Sequence, residues 1–188
     1  MASLGNLTVI TGPSGVGKGT IVRKILDSHS DVWLSISATT RKPRSGEIEG
    51  KHYFFLEKKK FQEIIDKECF LEWASFSNNF YGTPKTFVNE KIEQGTNVLL
   101  EIELEGARQI RKSFPEALQI FLAPPNLYEL EKRIRGRGTE SEESIRDRLS
   151  IANKELIAKK EFDAVVINQD IEKAFLEIEG LMKLNNKS

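Results

Sequence analysis

Short apolar runs alternate with segments of helical spacing along this chain, and this alternation predicts a parallel sheet with helices on both faces. Buried strands are predicted at 7–11, 32–37, 98–103, 118–123 and 164–168. Helices are predicted at 18–28 and 104–112, and further helices are predicted to begin after Asn126, Thr139 and Asp170. Parallel sheets of this kind bind ligands beyond the carboxyl ends of their strands. We therefore predict an α/β fold with a functional site at that edge.

The segment 37–89 departs from this alternation. Its first part, 38–53, is rich in polar, basic and glycine residues, which is typical of a loop with concentrated positive charge. A strand is predicted at 53–56, helices at 58–67 and 84–94, and a turn at 80–84. We therefore predict a small mixed insertion over 37–89, beside the main sheet.

Composition limits the classes of partner. The 188 residues include 28 Lys and Arg and 28 Asp and Glu, so the formal net charge is zero and neither a nucleic acid polymer nor a membrane is expected as a partner. The single cysteine, Cys69, excludes an internal disulfide and suits a reducing compartment. No apolar run reaches the length of a membrane span, and no signal peptide is recognised. We expect one compact cytoplasmic domain, and the sequence leaves its oligomeric state open.

A glycine-rich stretch joins the first predicted strand to the first predicted helix. It consists of Gly12, Pro13, Ser14, Gly15, Val16, Gly17, Lys18, Gly19 and Thr20. Glycines at such a junction let backbone N–H groups turn inward, and the helix N-terminus adds positive potential, so the stretch predicts a phosphate cradle. Lys18 supplies a charge for the terminal phosphates of a nucleoside triphosphate. Because Gly19 stands where a hydroxyl residue usually ligates magnesium, direct ligation of Mg²⁺ by the loop is not expected.

Arginines are concentrated in the segment 133–148. They are Arg133, Arg135, Arg137, Arg146 and Arg148. Acidic residues are interleaved with them, so a solvated helical face is one interpretation. The alternative is a mobile flap, with Gly136 and Gly138 as hinges, whose arginines close on a transferring phosphoryl group.

Two more groups suggest a second ligand. Forked guanidiniums and phenol hydroxyls hold phosphate well, so one group is formed by Arg41, Arg44, Tyr53 and Tyr81, although each tyrosine could instead be half-buried packing. The other is formed by Glu72, Ser37 and Thr83. A carboxylate in an apolar stretch is costly to bury without a partner, and it accepts two parallel N–H donors, which guanine presents and adenine does not.

Three further polar residues fall at predicted strand ends. Glu101 and Glu103 close the strand 98–103, with both side chains on one face, and Asn168 closes the strand 164–168. These ends share an edge with the phosphate cradle. His29 and His52 are predicted to be surface residues, because neither has a nucleophile or a metal-ligand spacing beside it.

Several longer stretches, taken in order, resemble the guanylate kinase family. They are SISATTRKPRSGE at 35–47, GKHYFF at 50–55, FLEWA at 70–74, YGT at 81–83 and RGTESEE at 137–143. The resemblance covers nearly the whole chain. It implies a P-loop kinase that transfers the γ-phosphoryl group of ATP to GMP, with a core (1–36, 90–125 and 154–188), a GMP-binding insertion (37–89) and a helical lid (126–153).

The resemblance also implies residue roles. GMP would be bound by Ser37, Arg41, Arg44, Tyr53, Glu72, Tyr81, Gly82, Thr83, Glu101, Glu103 and Arg148. ATP would be bound by the glycine-rich stretch with Arg133, Arg137 and Asn168. Catalysis would rest on Lys18, Arg41, Arg137 and Arg148. Mg²⁺ would be held by nucleotide phosphates and water near Thr20 and Glu103, and which acid serves GMP and which serves magnesium stays open.

Two other functions remain as alternatives. A module of the same fold could bind a partner without catalysis, or the chain could phosphorylate another nucleoside monophosphate. Retention of Lys18, Arg137 and Arg148 favours an enzyme, and Glu72 favours guanine.

Overall fold

The computed structural model describes residues 4–76, 78–136 and 141–184. In chain order, the first elements are β1 (Leu7–Thr11), α1 (Lys18–Ser28), β2 (Val32–Leu34), β3 (Ala38–Thr39), β4 (Phe54–Phe55), α2 (Lys58–Asp66), β5 (Phe70–Phe76), β6 (Asn79–Pro84) and α3 (Lys85–Glu93). The remaining elements are β7 (Asn97–Glu101), α4 (Leu104–Ser113), β8 (Leu118–Ala123), α5 (Leu127–Arg135), α6 (Glu142–Ile157), a 3₁₀ turn (Ala158–Glu161), β9 (Ala164–Ile167) and α7 (Ile171–Leu181). Across the described residues, no helix is both long and apolar enough to cross a membrane.

The main sheet is parallel and centred on β1. Within the described chain it has five strands in the order β2-β7-β1-β8-β9. Every residue of β1 is buried, as expected for a strand covered on both faces. The register places Ile10 opposite Glu101 on one side and Ile120 on the other. The predicted parallel α/β sheet is confirmed, and its carboxyl edge brings together the loop after β1, the end of β7 and the residues after β9.

The two faces of this sheet have separate hydrophobic clusters. Ile10 and Leu99 face one cluster, whereas the alternate residues Val9 and Leu100 face the other. The first cluster includes Ala174, Phe175 and Ile178 of α7, so this helix packs its apolar face into the core.

Helix caps explain where three helices begin. The predicted caps Asn126 and Asp170 are confirmed, because their side chains accept hydrogen bonds from the N–H groups of Glu129 (2.8 Å) and Lys173 (3.0 Å). The cap predicted at Thr139 is wrong for α6, which begins at Glu142 with Ser141 as its N-cap. Thr139 itself lies outside the described residues.

A second, mixed sheet lies between β2 and α3. Its described strands have the order β4-β3-β6-β5; β3 is parallel to β4, and β6 is antiparallel to both β3 and β5. The turn predicted at 80–84 is wrong, since these residues belong to β6. Gly82 serves close packing there, because a Cβ on it would lie 2.9 Å from the Cβ of Trp73 in β5.

Side chains of α4 attach β5 to the core. The Gln109 amide donates to the Trp73 carbonyl at 2.9 Å and accepts from the Trp73 N–H at 3.0 Å. The Ser113 hydroxyl donates to the Leu71 carbonyl at 2.7 Å. These bonds flank Glu72 on both sides, so its position relative to α4 is fixed.

His29 is a core residue, which corrects the prediction of a surface position. It is 4% exposed, and its Nε2 lies 2.5 Å from Oε1 of Glu179, which is 6% exposed. The pair joins the end of α1 to α7. His52 is exposed, as predicted.

Candidate active site

The glycine-rich loop turns sharply between β1 and α1, and its geometry requires glycine at two positions. Gly12 has a φ of +148°, and a Cβ there would lie 2.1 Å from the carbonyl oxygen of Leu122 in β8. Gly17, the N-cap of α1, has a φ of +104°, and a Cβ there would lie 2.6 Å from Nδ2 of Asn168. A side chain at either position would displace the loop, so the shape of the cradle depends on both glycines.

Two residues brace this loop. Arg133 of α5 donates from Nη1 to the Val16 carbonyl at 3.2 Å and from Nη2 to the Asn168 carbonyl at 2.7 Å. Asn168, which follows β9 and is 4% exposed, donates from Nδ2 to the same Val16 carbonyl at 2.8 Å. Both residues predicted to bind ATP therefore lie at the loop, with these donors directed at backbone oxygens.

Cationic side chains meet the loop from α1 and α6. The Lys18 ammonium donates to the carbonyls of Gly12 (2.5 Å) and Pro13 (3.3 Å). Arg148 donates from Nη2 to Oγ of Ser14 at 2.6 Å. Residues far apart in the chain thus place an ammonium and a guanidinium on the same glycine-rich loop.

The other arginines of 133–148 differ in surroundings. Arg135 forms exposed ion pairs with Glu131 and Glu142, which matches the interpretation of a solvated helical face. Arg146 is also exposed. Arg137 lies outside the described residues, so its predicted contact with phosphate stays a prediction.

A cavity of about 440 Å³ opens at the loop. It is lined by Ser14, Gly15, Gly17, Lys18, Gly19, Thr20, Arg23, Glu101 and Glu103. Sequence reasoning singled out all of these except Arg23. Arg23 follows Gly19 by four positions and so shares its helix face, which is the signal that would have found it.

Two acids face Lys18 in this cavity. Glu101 ends β7, and Glu103 is the residue before α4. Burial raises the pKa of Glu101, while the charge of Lys18 lowers it and the charge of Glu103 raises it. The cavity lining thus combines two carboxylates with the cationic side chains of Lys18 and Arg23, so it offers groups for both a phosphate and a cation.

Glu155 of α6 is a third acid here, and sequence reasoning missed it. A second cavity of about 420 Å³ shares Glu103 with the first and is lined by Glu103, Leu104, Glu105, Arg108, Ile151, Lys154 and Glu155. Burial raises the pKa of Glu155 to about 7, with a further rise from Glu103 and an opposing effect of Lys18. In the sequence Glu155 is one acid among many on a helix, and only the packing of α6 against the core reveals it.

The oxygen donors that line the cavity suit Mg²⁺, but they do not form a full set of protein ligands. The carboxylates of Glu101 and Glu103 and the hydroxyl residue Thr20 line the cavity, and Mg²⁺ prefers hard oxygen donors. Within the described ranges, no group of three or more His, Cys, Asp or Glu residues is arranged to hold a metal ion. The residues present therefore fit an ion that takes most of its ligands from nucleotide phosphates and water.

The second sheet presents a separate cationic group. The Arg41 guanidinium lies 5.4 Å from the centre of the Tyr53 ring, and the rings of Tyr53 and Tyr81 are 6.2 Å apart. A hydrogen bond from Arg41 to the Glu47 carboxylate raises the pKa of Arg41, and Tyr81 contributes to the rise. The structure thus brings three of the four predicted phosphate ligands together. The fourth, Arg44, has an exposed side chain on the same loop.

Glu72 and Thr83 form the buried polar pair of this sheet. Glu72 is 7% exposed, and the Thr83 hydroxyl donates to its Oε1 at 2.6 Å. Burial raises the pKa of Glu72, and the Thr83 hydrogen bond opposes this effect. Oε2 of Glu72 lies 3.0 Å from where a Cβ on Gly106 of α4 would be, so that glycine leaves room for the carboxylate. Ser37 directly precedes β3, and its carbonyl accepts a hydrogen bond from the Phe54 N–H at 2.9 Å.

Comparisons with known proteins give one result. The family model "Guanylate kinase" matches residues 5–185. The guanylate kinase of Prochlorococcus marinus (strain NATL2A) is 89% identical over 184 residues, which are 98% of this chain and 99% of that protein. The guanylate kinase of Synechococcus sp. (strain CC9311) is 59% identical over 182 residues, which are 97% of this chain and 96% of that protein.

Solved structures agree. The crystal structure of guanylate kinase from Anaplasma phagocytophilum has a TM-score of 0.75 at 29% identity and covers 99% of this chain and 88% of that one. A shikimate kinase from Bacteroides thetaiotaomicron, at 12% identity and a TM-score of 0.53, shares the fold alone. Since the family model spans nearly the whole chain and close relatives match it over nearly their full length, this chain belongs to the guanylate kinase family of nucleoside monophosphate kinases.

Proposed function

We propose that this chain transfers the γ-phosphoryl group of ATP to GMP, giving ADP and GDP. The observation that carries the proposal is the buried carboxylate of Glu72, held against α4, the helix that starts beside the phosphate cavity. Each carboxylate oxygen has two lone pairs, so the Thr83 hydroxyl leaves the group able to accept two parallel N–H donors. Guanine presents such a pair and adenine does not. Ser37 and Gly82 complete the proposed base site.

The GMP phosphate would bind to Arg41, Arg44, Tyr53 and Tyr81. The clustering of Arg41 with both tyrosine rings supports this assignment. Guanidinium and phenol donors suit a phosphate dianion, and Arg gives paired contacts that Lys cannot. Arg148 and one of the two strand-end acids, Glu101 or Glu103, would face the acceptor side of the transfer.

ATP would bind along the glycine-rich loop, with its terminal phosphates at Lys18. The brace formed by Arg133 and Asn168 would hold the loop in shape while the nucleotide binds. Arg137 would join Lys18 and Arg148 around the transferred group. Mg²⁺ would bind together with ATP, with Thr20 and Glu103 near its water shell, and it would supply neutralisation of the phosphate charge.

The proposed chemistry is a direct in-line transfer. An oxygen of the GMP phosphate bonds to the γ-phosphorus of ATP, and the bond from that phosphorus to the β-phosphate oxygen breaks, so ADP leaves with the electron pair. No covalent enzyme intermediate forms. Because a phosphate monoester is already largely ionised near neutral pH, no strong base is needed, and Lys18 and the arginines contribute by positioning and by charge stabilisation.

The proposed division of the chain follows from these roles. The core would be 1–36, 90–125 and 154–188, the GMP-binding insertion 37–89, and the lid 126–153. The second sheet, formed by β3 to β6, falls inside the proposed insertion. A cytoplasmic location is part of the proposal, because the single cysteine suits a reducing compartment.

A transfer experiment with a matched pair of variants tests the proposal. With ATP labelled at the γ-phosphate and GMP, we expect the label in GDP and an equal amount of ADP. Arg148→Gln removes the guanidinium that contacts Ser14, and we expect a loss of kcat of about 10²-fold, as for one charge-stabilising donor. Arg146→Gln removes an exposed arginine of the same helix and should have little effect. Release of label as inorganic phosphate without GDP would contradict the proposal.

A further inference from the structure

The loop between β3 and β4 contains a carboxylate, Glu47, that the proposed reaction leaves unused. We propose that Glu47 is a positioning residue, which holds the guanidinium of Arg41 so that one edge with two N–H donors stays available to the phosphate of GMP. This inference rests on the proposed function, since it assigns a role within the same phosphate site.

The hydrogen bonds of Arg41 show which edge remains. A guanidinium has five N–H donors in one plane. Nη1 donates to Oε2 of Glu47 at 2.9 Å and Nη2 donates to Oε1 at 2.8 Å, while Nη1 also donates to the Lys42 carbonyl at 2.8 Å. These bonds use both hydrogens of Nη1 and one of Nη2. The remaining Nη2 hydrogen and Nε–H lie on a single edge, with the parallel spacing that binds two phosphate oxygens. Tyr81, which also interacts with the Arg41 guanidinium, is a proposed ligand of the same phosphate.

Glu47 is itself held in place. Its Oε2 also accepts the backbone N–H of Arg44 at 2.7 Å, and its own N–H donates to the Arg44 carbonyl at 3.0 Å. The side chains of Arg41 and Glu47 are only 15% and 18% exposed. The hydrogen bonds with Arg41 and Arg44 lower the pKa of Glu47 to about 2, so the carboxylate stays charged at neutral pH. One anchored carboxylate thus connects both arginines of the proposed phosphate site.

Glu47 could instead compete with the GMP phosphate for the guanidinium of Arg41, so that the phosphate would have to displace it. A negative charge near a dianion opposes binding, so removal of a competitor would tighten GMP binding. The geometry favours positioning, because Glu47 occupies the end of the fork between Nη1 and Nη2, whereas the edge that includes Nε is separate from it. The two roles predict changes of opposite sign when Glu47 is neutralised.

Glu47→Gln separates the two roles. Each polar partner described for the Glu47 carboxylate is a donor: the two terminal nitrogens of Arg41 and the N–H of Arg44. An amide offers one oxygen and one NH₂ group, so at least one of these donors meets a donor, and the paired contact that orients the Arg41 guanidinium is broken. We expect the Kd for GMP to rise about 10- to 100-fold, the range seen when orienting partners are removed at metal sites. The KM for ATP should not change.

The control is Glu49→Gln. Glu49 lies on the same loop and its carboxylate accepts the Phe55 N–H at 2.9 Å, a bond that an amide oxygen preserves. This variant removes the same charge without releasing an arginine.

The experiment measures binding of GMP and guanosine by calorimetry to the wild type and both variants, and repeats Glu47→Gln in an Arg41→Lys background. We expect weaker GMP binding for Glu47→Gln alone, unchanged guanosine binding, and little further loss in the Arg41→Lys background, because Glu47 acts through the fork. Tighter or unchanged GMP binding would overturn the inference. An equal loss of guanosine binding would also overturn it, and so would an equal loss of GMP binding when Glu47→Gln is made in the Arg41→Lys background. If the wild type itself binds GMP no better than guanosine, the proposed phosphate site fails first, and the two failures are thus distinguishable.

Discussion

Replacement of Glu72 by Gln tests the proposed recognition of guanine, because it changes a single carboxylate oxygen of that side chain into an NH₂ group. The variant keeps the side-chain volume and keeps an oxygen for the Thr83 hydroxyl, which lies 2.6 Å from Oε1. It replaces the other oxygen, which faces Gly106, with an NH₂ group. A guanine edge with two parallel N–H donors would then meet one acceptor and one donor.

The expected loss follows from two terms. A hydrogen bond to a charged group contributes about 1.5–3 kcal/mol, and a buried donor left facing another donor costs about 1–3 kcal/mol. Together these predict a fall in kcat/KM for GMP of about 10²–10⁴-fold. The upper end approaches the selectivity of sites built to hydrogen-bond one substrate group.

Glu72→Gln should also change how the folding stability depends on pH. Burial raises the pKa of Glu72 in the folded chain above its ordinary value of 4.5. An acid with a raised folded pKa binds more protons in the folded state, so folding stability falls as the pH rises between the two pKa values. Gln cannot titrate, and therefore the melting temperature of the variant relative to wild type should increase with pH.

The assay is ADP release with GMP or AMP as acceptor, combined with thermal unfolding from acidic to weakly alkaline pH. We expect the variant to lose its preference for GMP over AMP while its relative melting temperature rises with pH. If the variant kept that preference, the assignment of guanine recognition to Glu72 would be wrong. A relative melting temperature that falls with pH would contradict the raised pKa.

Three further predictions use other parts of the structure. Because burial raises the pKa of Glu155 to about 7, Glu155→Gln should melt progressively higher than wild type as the pH rises from 4.5 towards 7, and a constant difference would contradict this. Glu179→Ala removes the hydrogen-bond partner of the buried His29 side chain and should cost about 1–3 kcal/mol in urea unfolding, the penalty for an unsatisfied buried polar group, whereas an unchanged free energy of unfolding would contradict a stabilising role for the pair. In Gly17→Ala the new Cβ would lie 2.6 Å from Nδ2 of Asn168, at a φ of +104°. The resulting strain of about 1–3 kcal/mol should displace the loop and raise the KM for ATP roughly 5- to 150-fold. An unchanged KM would show that the loop tolerates a side chain at this position.

The local features of the fold were accessible from sequence because their causes are local. A strand, a glycine-rich turn and a helix follow one another within 7–28, and the caps at Asn126 and Asp170 act on residues three positions away. Distant partners were not accessible. His29 pairs with a carboxylate 150 residues later, and no spacing in the sequence connects the two.

The site was predictable where a residue's type fixes its chemistry. The loop, Glu72 and the strand-end acids carry such signals, and they do lie at the cavity or in the buried pair. Glu47 and Glu155 could not be predicted as site residues, because in the sequence an acid on a charged loop or helix looks like any solvated acid until its neighbours in the fold are known. Gly82 was misread for a related reason, since glycine marks close packing in β6 as readily as it marks a turn.

One measurement tests the central proposal most directly. GMP, AMP, CMP and UMP are offered separately with MgATP, and the release of ADP is followed. We predict rapid turnover with GMP alone. Equal turnover with another monophosphate would keep the kinase but contradict guanine recognition, and no turnover with any acceptor, despite measurable GMP binding, would contradict phosphoryl transfer and restore the binding-module alternative.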